Sequence, residues 1–112
     1  MINYHNRIFR SLSNTDNGEV SGDTTFSYKQ QGNIVTACYG GGSIANGHLI
    51  ATVNNEGVLN MRYHHVNTSG ELMTGVCIST PEVLPSGKVR LHEKWQWTSG
   101  DQSQGESIIE EI

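Results

Sequence analysis

Most of this chain alternates apolar and polar residues with a period of two, and runs rich in Gly, Asn, Asp and Ser separate the alternating segments. A period of two places successive side chains on opposite faces of a strand. Residues 58–66 show the pattern most clearly, with Leu59, Met61, Tyr63 and His65 on one face. The chain is therefore predicted to form β-strands joined by tight turns, with no helix longer than about one turn.

The turn signals divide the chain into eight strands. Gly32-Asn33 is a two-residue hairpin signal. The glycines at 40–42 favour a hairpin turn over an anion-binding nest of backbone amides. Pro81 and the Pro-Ser-Gly run at 85–87 predict one further turn, because Pro cannot donate to a strand ladder. The predicted strands are residues 4–12, 24–30, 34–39, 47–53, 58–66, 72–79, 88–97 and 106–112.

Eight short strands with hairpin-length links favour an all-β, antiparallel, up-and-down barrel formed by a single domain over residues 1–112. Closure removes the exposed edges that an open sheet would leave. A two-sheet sandwich uses the same alternation and is the main alternative. An eight-stranded barrel has an interior wide enough for its own side chains or for one small ligand.

Composition and charge exclude several classes of partner. The net charge is -4, and the seven Lys and Arg residues are scattered singly, so no basic stripe is available for nucleic acid. No segment approaches the roughly 20 apolar residues of a membrane-spanning helix. Residues 1–12 lack the apolar run and cleavage site of a secretory signal, and we expect a cytoplasmic protein.

Cysteine and histidine do not indicate a catalytic or metal site. Cys38 and Cys77 are predicted to be buried packing residues without a disulfide, since a chain without an export signal usually stays where thiols are kept reduced. Each sits in an apolar strand without an adjacent base, which does not favour a nucleophile. His64 and His65 are adjacent on a strand and point to opposite faces, which makes joint ligation of one ion difficult. We therefore predict no catalytic residue, no metal site and no cofactor.

The candidate ligand-binding residues lie on the apolar faces of two strands, and Glu93 is the residue that most needs an explanation. A carboxylate on such a face loses hydration and must be hydrogen-bonded, paired or protonated. One hypothesis places Glu93 in a sealed network with Tyr, His or Arg neighbours. The other is a pocket in which aromatic walls hold a small ligand and polar groups orient it. The residues of this site are Tyr63, His65, Glu93, Trp95 and Trp97.

Three segments in order, MRYHHVN at 61–67, GVCISTPE at 75–82 and RLHEKWQWTSGD at 90–101, resemble a family of small bacterial proteins with an avidin-like barrel. The resemblance runs over almost the whole chain and implies the avidin-like barrel fold. Some relatives carry the label N-acetylglutamate synthase, but this chain has no strand, Gly-rich loop and helix unit for an acetyl-CoA pyrophosphate. No biotin-contacting motif can be matched residue by residue.

Three functional hypotheses follow. The preferred one is non-catalytic binding of a small apolar or aromatic ligand inside the barrel. The second is a cofactor-free isomerase or cyclase with Glu93 or His65 as the proton-transfer group. The third is a filled structural barrel that acts in protein interaction. We also expect a homodimer, because Val66, Ile78 and either Met61 or Met73 should form an outward apolar strip. The turn at Ser99-Gly100-Asp101 should lie at one rim, as a lid or as a simple chain reversal.

Overall fold

A computed structural model describes residues 2–112 as eight antiparallel strands that close into one barrel. Each strand pairs with its neighbours in chain order, and β1 pairs with β8 to complete the ring. This closure confirms the predicted barrel over the sandwich. The strands are β1 Ile8–Asn14, β2 Thr25–Gln31, β3 Ile34–Gly41, β4 Ile44–Val53, β5 Leu59–Asn67, β6 Leu72–Val83, β7 Val89–Trp97 and β8 Gln104–Glu111.

The alternation in the sequence becomes the inside and the outside of the barrel wall. On β5, Leu59, Met61 and His65 are buried and Tyr63 is half-buried on the same inner face, while Asn60, Arg62 and His64 face outward. The interior is filled by aromatic and aliphatic side chains from all eight strands. The described residues contain no helix with the length and apolarity that crossing a membrane requires.

The two ends of the barrel are built differently. The segment before β1 closes one end: Tyr4 is fully buried, and its hydroxyl donates to the Gly57 carbonyl at 2.6 Å. The other end carries the longest connection, the β1–β2 loop at residues 15–24, together with the hairpin turn at Gly41 and Gly42. Thr24 ties the loop to that turn by donating to the Gly41 carbonyl at 3.0 Å.

Three strand boundaries differ from the prediction by three residues or more. β4 begins at Ile44 rather than at residue 47, because Ile44 pairs with Gly41 across a two-residue turn. The first strand begins at Ile8 rather than at residue 4, because Asn6 has a φ of 63° and interrupts the extended backbone. Pro81 does not end β6, which continues to Val83. Beyond Ser79, β6 pairs with β7 alone, so Pro81 occupies a stretch where one side of the strand has no ladder to maintain.

The outer apolar strip expected for a homodimer is smaller than predicted. Met61 is buried inside the barrel, and Met73 packs against the core, so neither joins the strip. Ile78 is exposed and Val66 is half-buried on the outer face. The exposed Arg62 lies between the outward positions of β4 and β6. The homodimer stays a prediction.

Candidate functional site

The five residues singled out from the sequence line one cavity beneath the β1–β2 loop. Tyr63 and His65 enter it from β5, and Glu93, Trp95 and Trp97 enter it from β7. The cavity measures about 50 Å³, which is room for a few water molecules. Small-molecule pockets usually measure roughly 300–1,000 Å³. The barrel interior is thus largely filled by its own side chains around a small residual space.

Aromatic rings form the walls of this cavity. The Trp95 and Trp97 rings meet nearly edge to face, with centroids 5.4 Å apart and an interplanar angle of 60°. Tyr63 meets Trp97 in the same manner at 5.9 Å. Such tilted pairs are the favoured arrangement for aromatic quadrupoles. The rings therefore brace one another and hold the shape of the wall.

Glycines on the neighbouring strands make room for these rings. Tyr63 pairs directly with Gly75, and Trp95 pairs directly with Gly105. In each case the ring covers the glycine so closely that a Cβ at that position would overlap it. Tyr39 covers its own partner Gly47 in the same way. A missing side chain on one strand thus determines where an aromatic side chain on the next can lie.

The indole N–H groups fasten the β1–β2 loop to the wall. Trp95 Nε1 donates to Asn14 Oδ1 at 3.2 Å, and Trp97 Nε1 donates to the Asn17 carbonyl at 3.0 Å. Val20 from the same loop packs against the core and lines the cavity. The loop therefore covers the cavity. Trp97 holds it directly, and Trp95 holds it through Asn14, the last residue of β1, whose Nδ2 donates to the Val20 carbonyl at 3.1 Å.

His65 holds the loop as well, and this leaves its ring no free nitrogen. Its Nε2 lies 2.7 Å from Glu19 Oε1, and its Nδ1 lies 2.9 Å from the Tyr39 hydroxyl. Glu19 also accepts from Asn67 Nδ2 at 3.0 Å. The His65 side chain is almost wholly buried. His65 thus borders the cavity but acts as an anchor for the loop.

Glu93 lies between two serines rather than among the Tyr, His or Arg partners that the sealed-network hypothesis named. Ser79 Oγ donates to one carboxylate oxygen at 2.7 Å, and Ser107 Oγ donates to the other at 3.2 Å. Both serines are its direct cross-strand partners. Burial raises the pKa of the Glu93 carboxyl above its ordinary 4.5, and the two serine hydrogen bonds oppose that rise.

The two cysteines differ in a way that the sequence did not predict. Cys77 is buried beside Glu93. The pKa of its thiol is raised, mainly by burial and secondly by the negative charge of Glu93. Cys38 is exposed on the outer face, which corrects the expectation that both are buried. Both thiols are free, in agreement with the predicted absence of a disulfide.

The two adjacent histidines point to opposite sides of the wall, as the alternation predicted. His65 is buried inside, whereas His64 lies outside, next to His48 with ring centroids 5.8 Å apart. Within residues 2–112, no group of three His, Cys, Asp or Glu residues is placed to hold a metal ion.

The turn at residues 99–101 reverses the chain between β7 and β8 and does not line the cavity. The covering role belongs instead to the β1–β2 loop, where the sequence showed only a polar, turn-rich stretch. Other lining residues missed by the sequence reasoning sit at inward positions of strands or in this loop: Asn14, Gly18, Glu19, Val20, Phe26, Tyr39, Leu49, Met61, Cys77 and Ser107. Parity along each strand could have found Phe26 and Tyr39, but nothing periodic marks the loop.

Comparison with known proteins gives one match. The family model described as avidin-like protein matches residues 2–112. Comparison with the curated proteins and with the solved structures yields no match. The family model covers the entire barrel, including the cavity and the loop above it. With its closed eight-stranded barrel, the chain belongs to the avidin-like protein family.

Proposed function

We propose that this protein binds a small apolar or aromatic molecule in the cavity beneath the β1–β2 loop, without chemical conversion. One observation carries the proposal: five aromatic and ionisable side chains from two strands converge on a single cavity. An apolar lining with a few placed polar groups is the usual composition of a small-molecule site. Membership of the avidin-like family is consistent with a ligand-binding barrel.

The size of the cavity limits what can enter. At about 50 Å³ it accepts a molecule of only a few heavy atoms while the loop stays in place. A larger aromatic ligand requires the β1–β2 loop to move. That loop forms no strand between residues 15 and 24. Its hydrogen bonds to the barrel include those of Trp97, of Glu19, and of Asn17 to Ser103 and Gln104.

Binding is better supported than isomerase or cyclase chemistry. Both ring nitrogens of His65 are already engaged, which leaves Glu93 as the single proton-transfer group of the two that were considered. The remaining polar neighbours of Glu93 are two serine hydroxyls that donate to it and the Cys77 thiol, whose pKa is raised by burial and by Glu93 itself. A reaction that moves a proton from one position to another needs a second group to complete the transfer.

The test is a titration with small alcohols, phenol and indole, followed by calorimetry and, for compounds that do not themselves fluoresce, by the fluorescence of Trp95 and Trp97. Val20→Phe, which fills the cavity from the loop, should abolish binding. Val66→Phe adds the same volume on the outer face and should leave binding intact. Failure of every compound, or equal binding by both variants, would remove the proposal and favour the filled structural barrel.

A further inference from the structure

The carboxylate of Glu93 faces the cavity without a positive partner. Among residues 2–112, the ion pairs involve Glu19, Glu82, Glu110 and Glu111, and none involves Glu93. Its two hydrogen-bond partners are neutral serines. A carboxylate removed from water without a counter-charge is costly, and proteins usually pair or neutralise it.

Every Lys and Arg side chain lies away from the interior. Arg7 and Arg90 are half-buried on the outside, where they pair with Glu111 and Glu110. The other five are exposed: Arg10, Lys29, Arg62, Lys88 and Lys94. Within residues 2–112, no Lys or Arg therefore lies inside the barrel to neutralise Glu93, and His65, which lines the same cavity, is already paired with Glu19. A counter-charge for Glu93 would come from outside these residues.

Most of the hydrogen-bond donors in the rest of the lining are already in use. The indole N–H groups of Trp95 and Trp97 donate to Asn14 and Asn17, and both ring nitrogens of His65 are engaged. The Tyr39 hydroxyl is also bonded, to His64 and His65. An anionic ligand would find few donors here and would be repelled by Glu93.

The walls beside Glu93 favour positive charge. Tyr63, Trp95 and Trp97 line the same cavity, and an aromatic face attracts a cation through its quadrupole. Trp gives the strongest such interaction. A carboxylate and three aromatic rings around one small space together provide both a counter-charge and a cage.

We propose that the cavity binds a small organic cation, an ammonium group on a short apolar frame, with Glu93 as its counter-charge and the rings of Tyr63, Trp95 and Trp97 as its cage. This inference rests on the small-ligand binding proposed above and names the chemical class of the ligand. The ammonium N–H groups donate to the carboxylate, and the carbon frame contacts the aromatic walls.

The experiment compares amines with alcohols of nearly the same shape and of only a few heavy atoms: ethylamine with ethanol, and n-propylamine with 1-propanol. Calorimetry at pH 7 measures each affinity, where alkylamines are protonated as Lys is, with a pKa of about 10.4. A charge-assisted hydrogen bond should make each amine about ten- to a hundredfold tighter than its alcohol. Glu93→Gln should abolish that difference, whereas Glu106→Gln on the outer face of β8 should preserve it.

The outcomes separate the two proposals. Equal affinity for amine and alcohol in the wild-type protein would overturn the cation inference and leave small-ligand binding standing. Retention of the amine preference in a folded Glu93→Gln variant would also overturn it, because the preference would then arise elsewhere. If neither amines nor alcohols bind, both proposals fail. If Glu93→Gln does not fold, the comparison of amine and alcohol affinities for the wild-type protein tests the cation inference by itself.

Discussion

Tyr63 and Gly75 face each other directly across β5 and β6, and the phenol ring covers the glycine where any other residue would carry a Cβ. The same glycine pairs on its other side with Trp97. This small residue therefore sets the position of the Tyr63 ring, which in turn meets the Trp97 ring edge to face. The wall of the site thus depends on the missing side chain at Gly75 of β6 as well as on the aromatic rings from β5 and β7.

Gly75→Ala should displace Tyr63 and lower the free energy of unfolding by about 1–3 kcal/mol, the usual cost of overpacking an interior. Chemical denaturation measures the loss, and the fluorescence of the adjacent Trp97 should change in the folded state. Gly22→Ala is the matched control, because a Cβ there meets open space. Equal stability of the two variants would show that the ring can move aside without cost.

Tyr28→Phe should make the protein more stable. Among residues 2–112, the Tyr28 hydroxyl is the buried side-chain polar atom that has no hydrogen-bond partner. An unsatisfied buried group costs about 1–3 kcal/mol, so its removal should raise the free energy of unfolding by about 1 kcal/mol. Tyr4→Phe is the opposite case, since it breaks the bond to the Gly57 carbonyl and should destabilise. Thermal melts of both variants check the contrast.

The fold could be predicted from the sequence because its determinants are local. Period-two alternation and turn residues such as Gly32 identify each strand wherever it later pairs. The errors arise where tertiary context overrides a local rule. Pro81 stays in β6 because the pairing between β5 and β6 ends at Ser79. The residues around Pro81 do not reveal this register.

The site could be predicted only where alternation along a strand decides which side chains face the barrel interior. Tyr63 and His65 share one face of β5, and Glu93, Trp95 and Trp97 share one face of β7, so closure of the barrel brings all five inward. The partners of these side chains could not be predicted. The cross-strand register places Ser79 and Ser107 next to Glu93. An irregular loop places Glu19 next to His65.

Cys38 should react with a thiol reagent in the native protein, and Cys77 should react only after unfolding. Cys38 is exposed on the outer face, whereas Cys77 is buried, and its pKa is raised by burial and by Glu93. Titration with a chromogenic disulfide should therefore count one thiol under native conditions and two in denaturant. Because both thiols are free, millimolar reductant should leave the melting temperature unchanged. Two rapidly reacting native thiols would mean that the cavity opens readily.

Glu19→Ala should loosen the β1–β2 loop while leaving the barrel folded. The change removes the acceptor for His65 Nε2 and for Asn67 Nδ2 and leaves His65 buried without that partner. Faster amide hydrogen exchange at residues 16–20 is expected, with a loss of about 1–3 kcal/mol of stability. Glu56→Ala, at an exposed turn, is the control. Unchanged exchange in the loop would show that the bonds of Asn17 to Trp97, Ser103 and Gln104 hold it without Glu19.

Glu93→Gln should remove a pH dependence of stability whose direction follows from the pKa of the carboxyl. Burial raises that pKa above 4.5 in the folded state, so the folded protein binds this proton more tightly than the unfolded chain does. The contribution of Glu93 to the free energy of unfolding of the wild type is therefore fully present at pH values below 4.5. It is lost as the pH rises from 4.5 through the folded-state pKa. The slope of that loss is up to about 1.4 kcal/mol per pH unit.

At neutral pH the Gln variant should be at least as stable as the wild type, because no buried positive charge is left without a partner. The ionisable groups that face Glu93 stay neutral throughout this range, since their pKa values are raised; they are Tyr28, Tyr39, Tyr63 and Cys77. Urea denaturation of both proteins at a series of pH values isolates the contribution of Glu93. A variant much less stable than wild type at pH 7 would contradict the prediction and show that the ionised carboxylate stabilises the barrel through its serine hydrogen bonds.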